Sequence, residues 1–165
     1  MPHLNVFKKI SQTPAIVRDW AEHIGKEDTL ITNPIAYDNS GNAYIAGFTM
    51  NVSTGADIIV TKYDVHGDTV WSRQWTGAGV NRDQATCLAV DSDNNVYVGG
   101  FTYTSSANNF DFILLKYDFY GALQWTATYN GSGSGYDVPS AILIHGNFVA
   151  YSNGIILIGT YFIQK

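Results

Sequence analysis

The sequence predicts an all-β chain made of repeated four-stranded units. Residues 35–49 and residues 88–102 carry nearly the same pattern of residue types, and Asp38 of the first segment recurs as Asp91 of the second, 53 positions further on. A period of about this length is typical of stacked supersecondary units, each of which packs against its neighbours. The repeat therefore indicates the fold class before the propensity of any single segment is considered.

Each repeat divides into four short runs that are rich in β-branched and aromatic residues. In the second repeat these runs are residues 85–91, 96–102, 111–118 and 123–129. Such runs are typical of half-buried strands. The Asp, Asn and Gly residues between them suit tight hairpin turns. Four consecutive hairpin-linked strands predict one blade of a β-propeller.

Weaker copies of the pattern flank the two clear repeats. Asp137 falls in the register of the repeat, and the second strand of its unit is expected at residues 155–162, after a long hairpin loop at 145–152. At the other end, Trp20 aligns with the last strand of a repeat. The chain is therefore expected to hold three blade equivalents with split terminal half-blades: an outer half-blade at 1–27, blades at 28–80 and 81–134, and an inner half-blade at 135–165.

This organisation predicts assembly. Propellers have about four to eight blades, so three blade equivalents cannot close a ring, and an open arc would leave an apolar strand uncovered. Two copies that pair head to tail would close a six-bladed homodimeric ring. The alternative is that the 165 residues are a fragment of a longer single-chain secreted propeller. The residues expected at the assembly interface are Val6, Phe7, Ile10, Ile155, Ile156, Leu157, Ile158 and Phe162.

Two motifs recur in each repeat, and they resemble a known family. They read Asp-x-x-Gly-Asn-x-Tyr-x-x-Gly and Lys-Tyr-Asp-x-x-Gly-x-x-x-Trp, although Asn94 replaces the first Gly in the second repeat. The pattern is similar to the SBBP repeat, a seven-bladed β-propeller repeat of bacterial surface and secreted proteins, and less closely to the kelch repeat. The resemblance implies a propeller and an extracellular or cell-surface location. It implies no fixed activity, because propellers serve many functions.

Composition argues against several classes of partner. The chain has 9 basic and 14 acidic residues, with a net charge of −5, so a surface for nucleic acid or an anionic membrane is not expected. The single Cys87 allows no intrachain disulfide and no thiolate metal cluster. No apolar run approaches the roughly 20 residues of a membrane helix, and Lys8 and Lys9 precede no apolar stretch of the signal-peptide kind. The compartment stays open on this basis.

The repeated aspartates have two interpretations. Asp38 and Asp91 each precede a turn, where a carboxylate could bind a cation or accept hydrogen bonds from the turn amides. The second copy begins like a calcium loop, but Val96 stands where glycine is needed and Thr102 stands where the bidentate Glu should be. The turn-capping role is therefore favoured, and no metal site is predicted.

The repeated lysines suggest a repeated structural partner. Lys62 and Lys116 lie within apolar strands, where an unpaired ammonium would be costly. A structural ion pair with an aspartate such as Asp57 or Asp111 is expected, in preference to a catalytic lysine.

Aromatic residues provide the candidate ligand site. The two-residue period of a strand places Trp71, Arg73 and Trp75 on one face, and Trp125 with Tyr129 on the equivalent face of the next repeat. Such a face could stack on sugars, but packing between blades is the commoner use of large aromatics. These five residues are the candidates for a lectin-like site.

The sequence therefore favours a non-enzymatic structural or binding module without a cofactor, whose partner is a second copy of itself. A glycan or protein ligand is possible in addition. A carbohydrate-binding propeller is the second hypothesis, and an enzyme with its site at the channel mouth is the third. No arrangement of His, Glu and Asp residues supports the third, since the four histidines lie scattered along the chain without metal-ligand spacing.

Overall fold

All regular structure in the described chain is β-strand. The computed structural model describes residues 34–78, 81–105, 109–131, 136–145, 148–151 and 154–157. Within these ranges three sheets form and no residue is helical. The all-β prediction is confirmed, and none of the described residues lies in a helix of the length and hydropathy that crossing a membrane requires.

The first two sheets each contain four antiparallel strands in chain order. The strands of the first sheet are β1 (Ile35–Tyr37), β2 (Ala43–Asn51), β3 (Gly55–Tyr63) and β4 (Thr69–Trp75), and the short β5 (Asn81–Arg82) pairs parallel to β3. The strands of the second sheet are β6 (Gln84–Val90), β7 (Val96–Ser105), β8 (Asn109–Tyr117) and β9 (Leu123–Tyr129). The predicted four-stranded repeat unit is therefore confirmed twice.

Residues with a left-handed backbone conformation make the tight turns between these strands possible. Gly67 between β3 and β4 has a φ of 82°, and Gly121 between β8 and β9 has a φ of 78°. In the turn after β1, Gly41 has a φ of 83°, and Asn94 takes the equivalent place after β6 with a φ of 63°. Asn adopts the left-handed region more readily than most other side chains. The missing glycine of the second repeat therefore leaves the turn intact.

Hydrophobic clusters lie between successive sheets. One is shared by the first and second sheets, and its members are Tyr44, Ala46, Ile58, Val60, Trp71, Ala85, Val96, Val98, Ile113, Leu115 and Tyr117. The other contains Tyr97, Phe112 and Leu114 of the second sheet together with Val149. Val96 and Val98 of β7 belong to the first cluster while Tyr97 belongs to the second, as the alternation of a strand requires. The second sheet thus packs on the first sheet through one face and on the third sheet through the other.

Two glycines of β7 allow close approach from both sides. A Cβ on Gly100 would clash with the carbonyl oxygen of Gln84 on the neighbouring strand β6, and one on Gly99 would lie 2.8 Å from Cδ1 of Ile142 in the third sheet. Real Cβ atoms do not come so close to other heavy atoms, because interiors are already packed at van der Waals contact. The double glycine that gives the weaker kelch resemblance therefore has a packing explanation.

The third sheet differs from the prediction for residues 135–165. It contains β10 (Ile142–His145), β11 (Phe148–Tyr151) and β12 (Gly154–Leu157) in chain order. The segment expected as a loop at 145–152 thus includes a strand, and β12 is the third strand rather than the second. The register pairs His145 with Phe148, so only two residues join β10 to β11. The third repeat has a shortened turn instead of an insertion, and Val149 is buried in the second cluster beside Tyr97.

Candidate interaction surfaces

The repeated aspartate closes the turn after the first strand of each sheet. Oδ1 of Asp38 accepts hydrogen bonds from the backbone amides of Ser40 and Asn42, both at 2.9 Å. Its Oδ2 accepts from Nδ2 of Asn42 at 2.7 Å and from the Tyr44 hydroxyl at 3.0 Å. Burial raises the pKa of the Asp38 carboxyl, but the bonds from Asn42, Tyr44 and Ser40 outweigh it and hold the pKa below its ordinary value. Both oxygens of the carboxylate therefore accept hydrogen bonds from the turn or from the start of β2.

Asp91 makes the equivalent contacts in the second sheet. Its carboxylate accepts from the amides of Asp93 and Asn95, from Nδ2 of Asn95 and from the Tyr97 hydroxyl. The turn-capping interpretation of both aspartates is confirmed. Among the described residues, no group of three or more His, Cys, Asp or Glu side chains could hold a metal ion.

Lys62 lies at the joint between the first and second sheets, and its predicted partner was wrong. Its ammonium lies 3.8 Å from Oδ2 of Asp38, not beside Asp57 or Asp111. Its Nζ also lies 3.4 Å from the ring centroid of Phe119, which belongs to the β8–β9 turn of the second sheet. Asp57 instead accepts hydrogen bonds from side chains of its own sheet, those of Thr54 and Gln74.

The environment of Lys62 is unusual for an ammonium. The side chain is buried, and no described group accepts a hydrogen bond from Nζ. Burial lowers the pKa of the Lys62 ammonium below its ordinary value, although the Asp38 carboxylate opposes the shift. The ring face of Phe119 provides the electrostatic contact that water would otherwise supply. Lys62 therefore links the two sheets through a cation–π contact.

Trp71 and Arg73 complete this joint. The Trp71 indole is buried, and its Nε1 donates to the carbonyl oxygen of Phe119 at 3.1 Å. Nε of Arg73 donates to the carbonyl oxygen of Gly121 at 2.8 Å, and its guanidinium carbon lies 5.6 Å from the Trp71 ring. Trp75, further along β4, packs half-buried against the first cluster. Trp71 and Arg73 of the predicted aromatic face thus contact the next sheet, and Trp71 is not at the surface.

The equivalent aromatic face of the second sheet is covered less completely. Trp125 is half-buried and makes an edge contact with Tyr97 at 6.1 Å between ring centroids. Ala127 stands at the position of Arg73, and Tyr129 is exposed. Lys116, the counterpart of Lys62, lies half-buried with its Nζ 5.1 Å from the Tyr97 ring centroid. A role in stacking on sugars remains a prediction for Trp125 and Tyr129.

The connections between sheets use a contact that was not predicted. The Asp83 carboxylate accepts from the Gly77 amide at 2.7 Å and from the Thr102 hydroxyl at 2.6 Å. Fifty-four positions on, the Asp137 carboxylate accepts from the Gly131 amide at 2.6 Å. The repeat of Gly and Asp at the same spacing is the sequence signal that could have identified this contact. The contact ties a residue just after the last strand of one sheet to a residue near the start of the next sheet.

The first strands of the second and third sheets, β6 and β10, each present two apolar residues to the sheet before them. Leu88 and Val90 of β6 pack against the cluster of the first two sheets, and Ile142 and Ile144 of β10 pack against the cluster of the second and third.

The same positions in β1 are Ile35 and Tyr37, which are 54% and 57% exposed. No described strand precedes them. In the third sheet, Leu143 of β10, which lies between Ile142 and Ile144, is 66% exposed. These three residues were not predicted as interface residues, although their place in the repeat was visible.

The predicted interface residues lie only partly within the described chain. Ile155, Ile156 and Leu157 belong to β12, whose pairing is with β11. The remaining candidates lie outside the described residues, and they are Val6, Phe7, Ile10, Ile158 and Phe162.

Four-stranded antiparallel sheets that recur with a fixed period and stack face to face are the units of β-propeller repeat proteins. Residues 70–111 match the family model of the SBBP beta-propeller repeat. The match begins in β4 and ends in β8, so it includes the connection between the first and second sheets. The resemblance inferred from the two motifs is thereby confirmed, and it suggests a binding or structural module. No curated protein matches the chain.

Proposed function

We propose that the chain is a non-enzymatic structural or binding module that assembles head to tail with a second copy into a six-bladed propeller ring. The observation that carries the proposal is the exposure of Ile35 and Tyr37. The residues at their positions in the next two sheets pack on the sheet before them. Exposed apolar side chains at a position that is elsewhere covered indicate a surface for a neighbour.

The repeated polar side chains are occupied by contacts within the chain, which supports the non-enzymatic part of the proposal. Asp38 and Asp91 bond their own turns, and Lys62 is buried beneath the next sheet. Burial raises the pKa of the Cys87 thiol to about 11, so the reactive thiolate is scarce at neutral pH. The repeat family is also generally non-enzymatic.

Light scattering of the purified chain tests the ring. The expected mass is twice the 18.1 kDa of one chain. A mass of one chain at micromolar concentration would contradict the ring and would favour the alternative of a longer single-chain propeller.

A pair of charge substitutions tests the surface that carries the proposal. Tyr37→Glu places a charge on the uncovered face and is expected to shift the mass to one chain, since burying an unpaired carboxylate is costly. Val70→Glu is the matched control, because Val70 is 53% exposed on the same sheet and its counterpart Gln124 stays exposed in the covered second sheet. Circular dichroism checks that both variants are folded. Equal masses for the two variants would contradict a role for this face.

A further inference from the structure

The described chain makes the same sheet-to-sheet contact twice. β6 lies against β1 of the sheet before it, and β10 lies against β6. In each case a pair of apolar residues on the later strand packs toward the earlier sheet: Leu88 with Val90, then Ile142 with Ile144. The contact is directional, since one face of a sheet always meets the opposite face of the sheet before it. A partner that continues this series therefore presents the opposite face of the same kind of sheet.

Leu143 marks the face that a further sheet would meet. Its neighbours Ile142 and Ile144 pack toward the second sheet, and alternation directs Leu143 to the other side of β10. The residue at the same position of β6 is Ala89, which is half-buried between its two neighbouring sheets. A leucine that is 66% exposed thus stands where the covered joint has a small residue. The larger side chain offers more apolar area to a partner.

Ile35 and Tyr37 mark the opposite, complementary face. They stand at the positions that Ile142 and Ile144 occupy in the third sheet, and no described strand covers them. Among the described residues, one face therefore has no earlier sheet against it, and the opposite face has no later sheet. Within the described chain, a face of this kind is covered by the opposite face of the next repeat.

We propose that Ile35 and Tyr37 of one copy pack on Leu143 of a second copy, an inference that rests on the ring proposed above. The contact is heterologous, and two copies form it twice, once in each direction, about a two-fold axis. It extends the series of β1, β6 and β10 across the chain boundary. The second copy is thus the partner of both exposed patches.

Cross-linking of single-cysteine variants tests the contact. Tyr37→Cys and Leu143→Cys are each made in a Cys87→Ala background, mixed by co-expression, and treated with a short bismaleimide. A cross-linked dimer is expected as the main product of the mixture. Little is expected from either variant alone, because residue 37 meets residue 143 and not its own counterpart. A mixture of Val70→Cys with Leu143→Cys is the control of matched exposure and should give none.

Each other outcome overturns the inference in a distinguishable way. A mass of two chains without the mixed cross-link would leave the ring standing and remove this contact from it. A mass of one chain would remove both. A double variant, Tyr37→Cys with Leu143→Cys, that cross-links within one chain would show that the two faces meet intramolecularly. Cross-linking of Tyr37→Cys alone would show a symmetric interface instead of a head-to-tail one.

Discussion

The two copies of the Lys–Trp motif occupy different environments. In the first sheet, the β8–β9 turn covers the motif, so Lys62 and Trp71 are buried and both contact Phe119. In the second sheet, Lys116 and Trp125 are half-buried, and no described turn lies over them. The motif itself is the same in both. The difference shows that burial of these residues is a property of the joint between sheets and not of the single sheet.

This difference also separates two kinds of stabilisation. Strand pairing and the aspartate turn are complete within one sheet, as the matching contacts of Asp38 and Asp91 show. The indole and guanidinium contacts of Trp71 and Arg73 need the following sheet. Repeat proteins are stabilised by both terms, the unit and its interface with the next unit. Substitutions at equivalent positions can therefore measure the interface alone.

Truncation of the two tryptophans should give the largest contrast. Trp71→Ala removes a buried indole and its hydrogen bond to Phe119, and is expected to lower the free energy of unfolding by about 3 to 5 kcal/mol. Trp125→Ala removes a half-buried ring and is expected to cost about 1 to 2 kcal/mol. Urea denaturation at low protein concentration measures both. Equal losses would show that Trp125 is as fully covered in solution as Trp71, and a loss for Trp125→Ala that grows with concentration would show that a second copy covers it.

The equivalent turn glycines should differ by a smaller amount. Gly121→Ala adds a Cβ that would lie 2.7 Å from Cδ2 of Trp71, at a φ of 78°. Conformational strain and overpacking together are expected to cost about 2 to 4 kcal/mol. Gly67→Ala meets the same strain at a φ of 82°, but among the described residues no indole lies against this turn. A cost of about 1 kcal/mol is expected there.

Thermal or urea unfolding of the two glycine variants provides the comparison. A larger loss for Gly121→Ala supports a joint in which the turn and the indole are in direct contact. If Gly67→Ala proves as costly, another side chain occupies the place of the indole against the first turn, and the contrast between the two joints disappears.

Features that depend on local sequence could be predicted. The aspartate turn needs only Asp38 and the amides within the next four residues, so its role followed from the motif. The four-stranded unit followed from the period, because hairpins join neighbours in sequence. Alternation along β4 correctly placed Trp71 and Arg73 on one face.

Features that depend on register or on the next sheet could not be predicted. Lys62 is paired across β2 and β3 with Tyr44, whose hydroxyl bonds Asp38, so the register brings the lysine to Asp38 rather than to Asp57. In the third sheet, the shortened turn after β10 shifted the alignment and concealed the strand that contains Val149. The position of Phe119 over Lys62 depends on the sheet that follows, which no local pattern encodes.

Replacing the buried lysine should have the smallest effect at neutral pH but should alter the pH dependence of stability. Since burial lowers the pKa of Lys62 in the folded chain below that of the unfolded chain, the folded chain binds fewer protons between these two values. The free energy of unfolding of the wild type therefore rises with pH through this window, up to about pH 10.5, relative to Lys62→Met. At neutral pH, Lys62→Met is expected to lie within about 1 kcal/mol of the wild type, because it removes a buried ammonium that has no hydrogen-bond acceptor, while the Asp38 carboxylate keeps its bonds from Ser40, Asn42 and Tyr44.

Urea denaturation of both proteins at several pH values from 7 to about 10 measures this difference. Lys62→Arg is the control, since the guanidinium stays charged at every pH used and gains nothing from deprotonation. It should be less stable than Lys62→Met throughout. A wild type whose stability relative to Lys62→Met does not change with pH would mean that the ammonium is hydrated in solution. The Phe119 contact would then not exclude water from Lys62. The surroundings of Lys62 would resemble the more open surroundings of Lys116 in the second sheet.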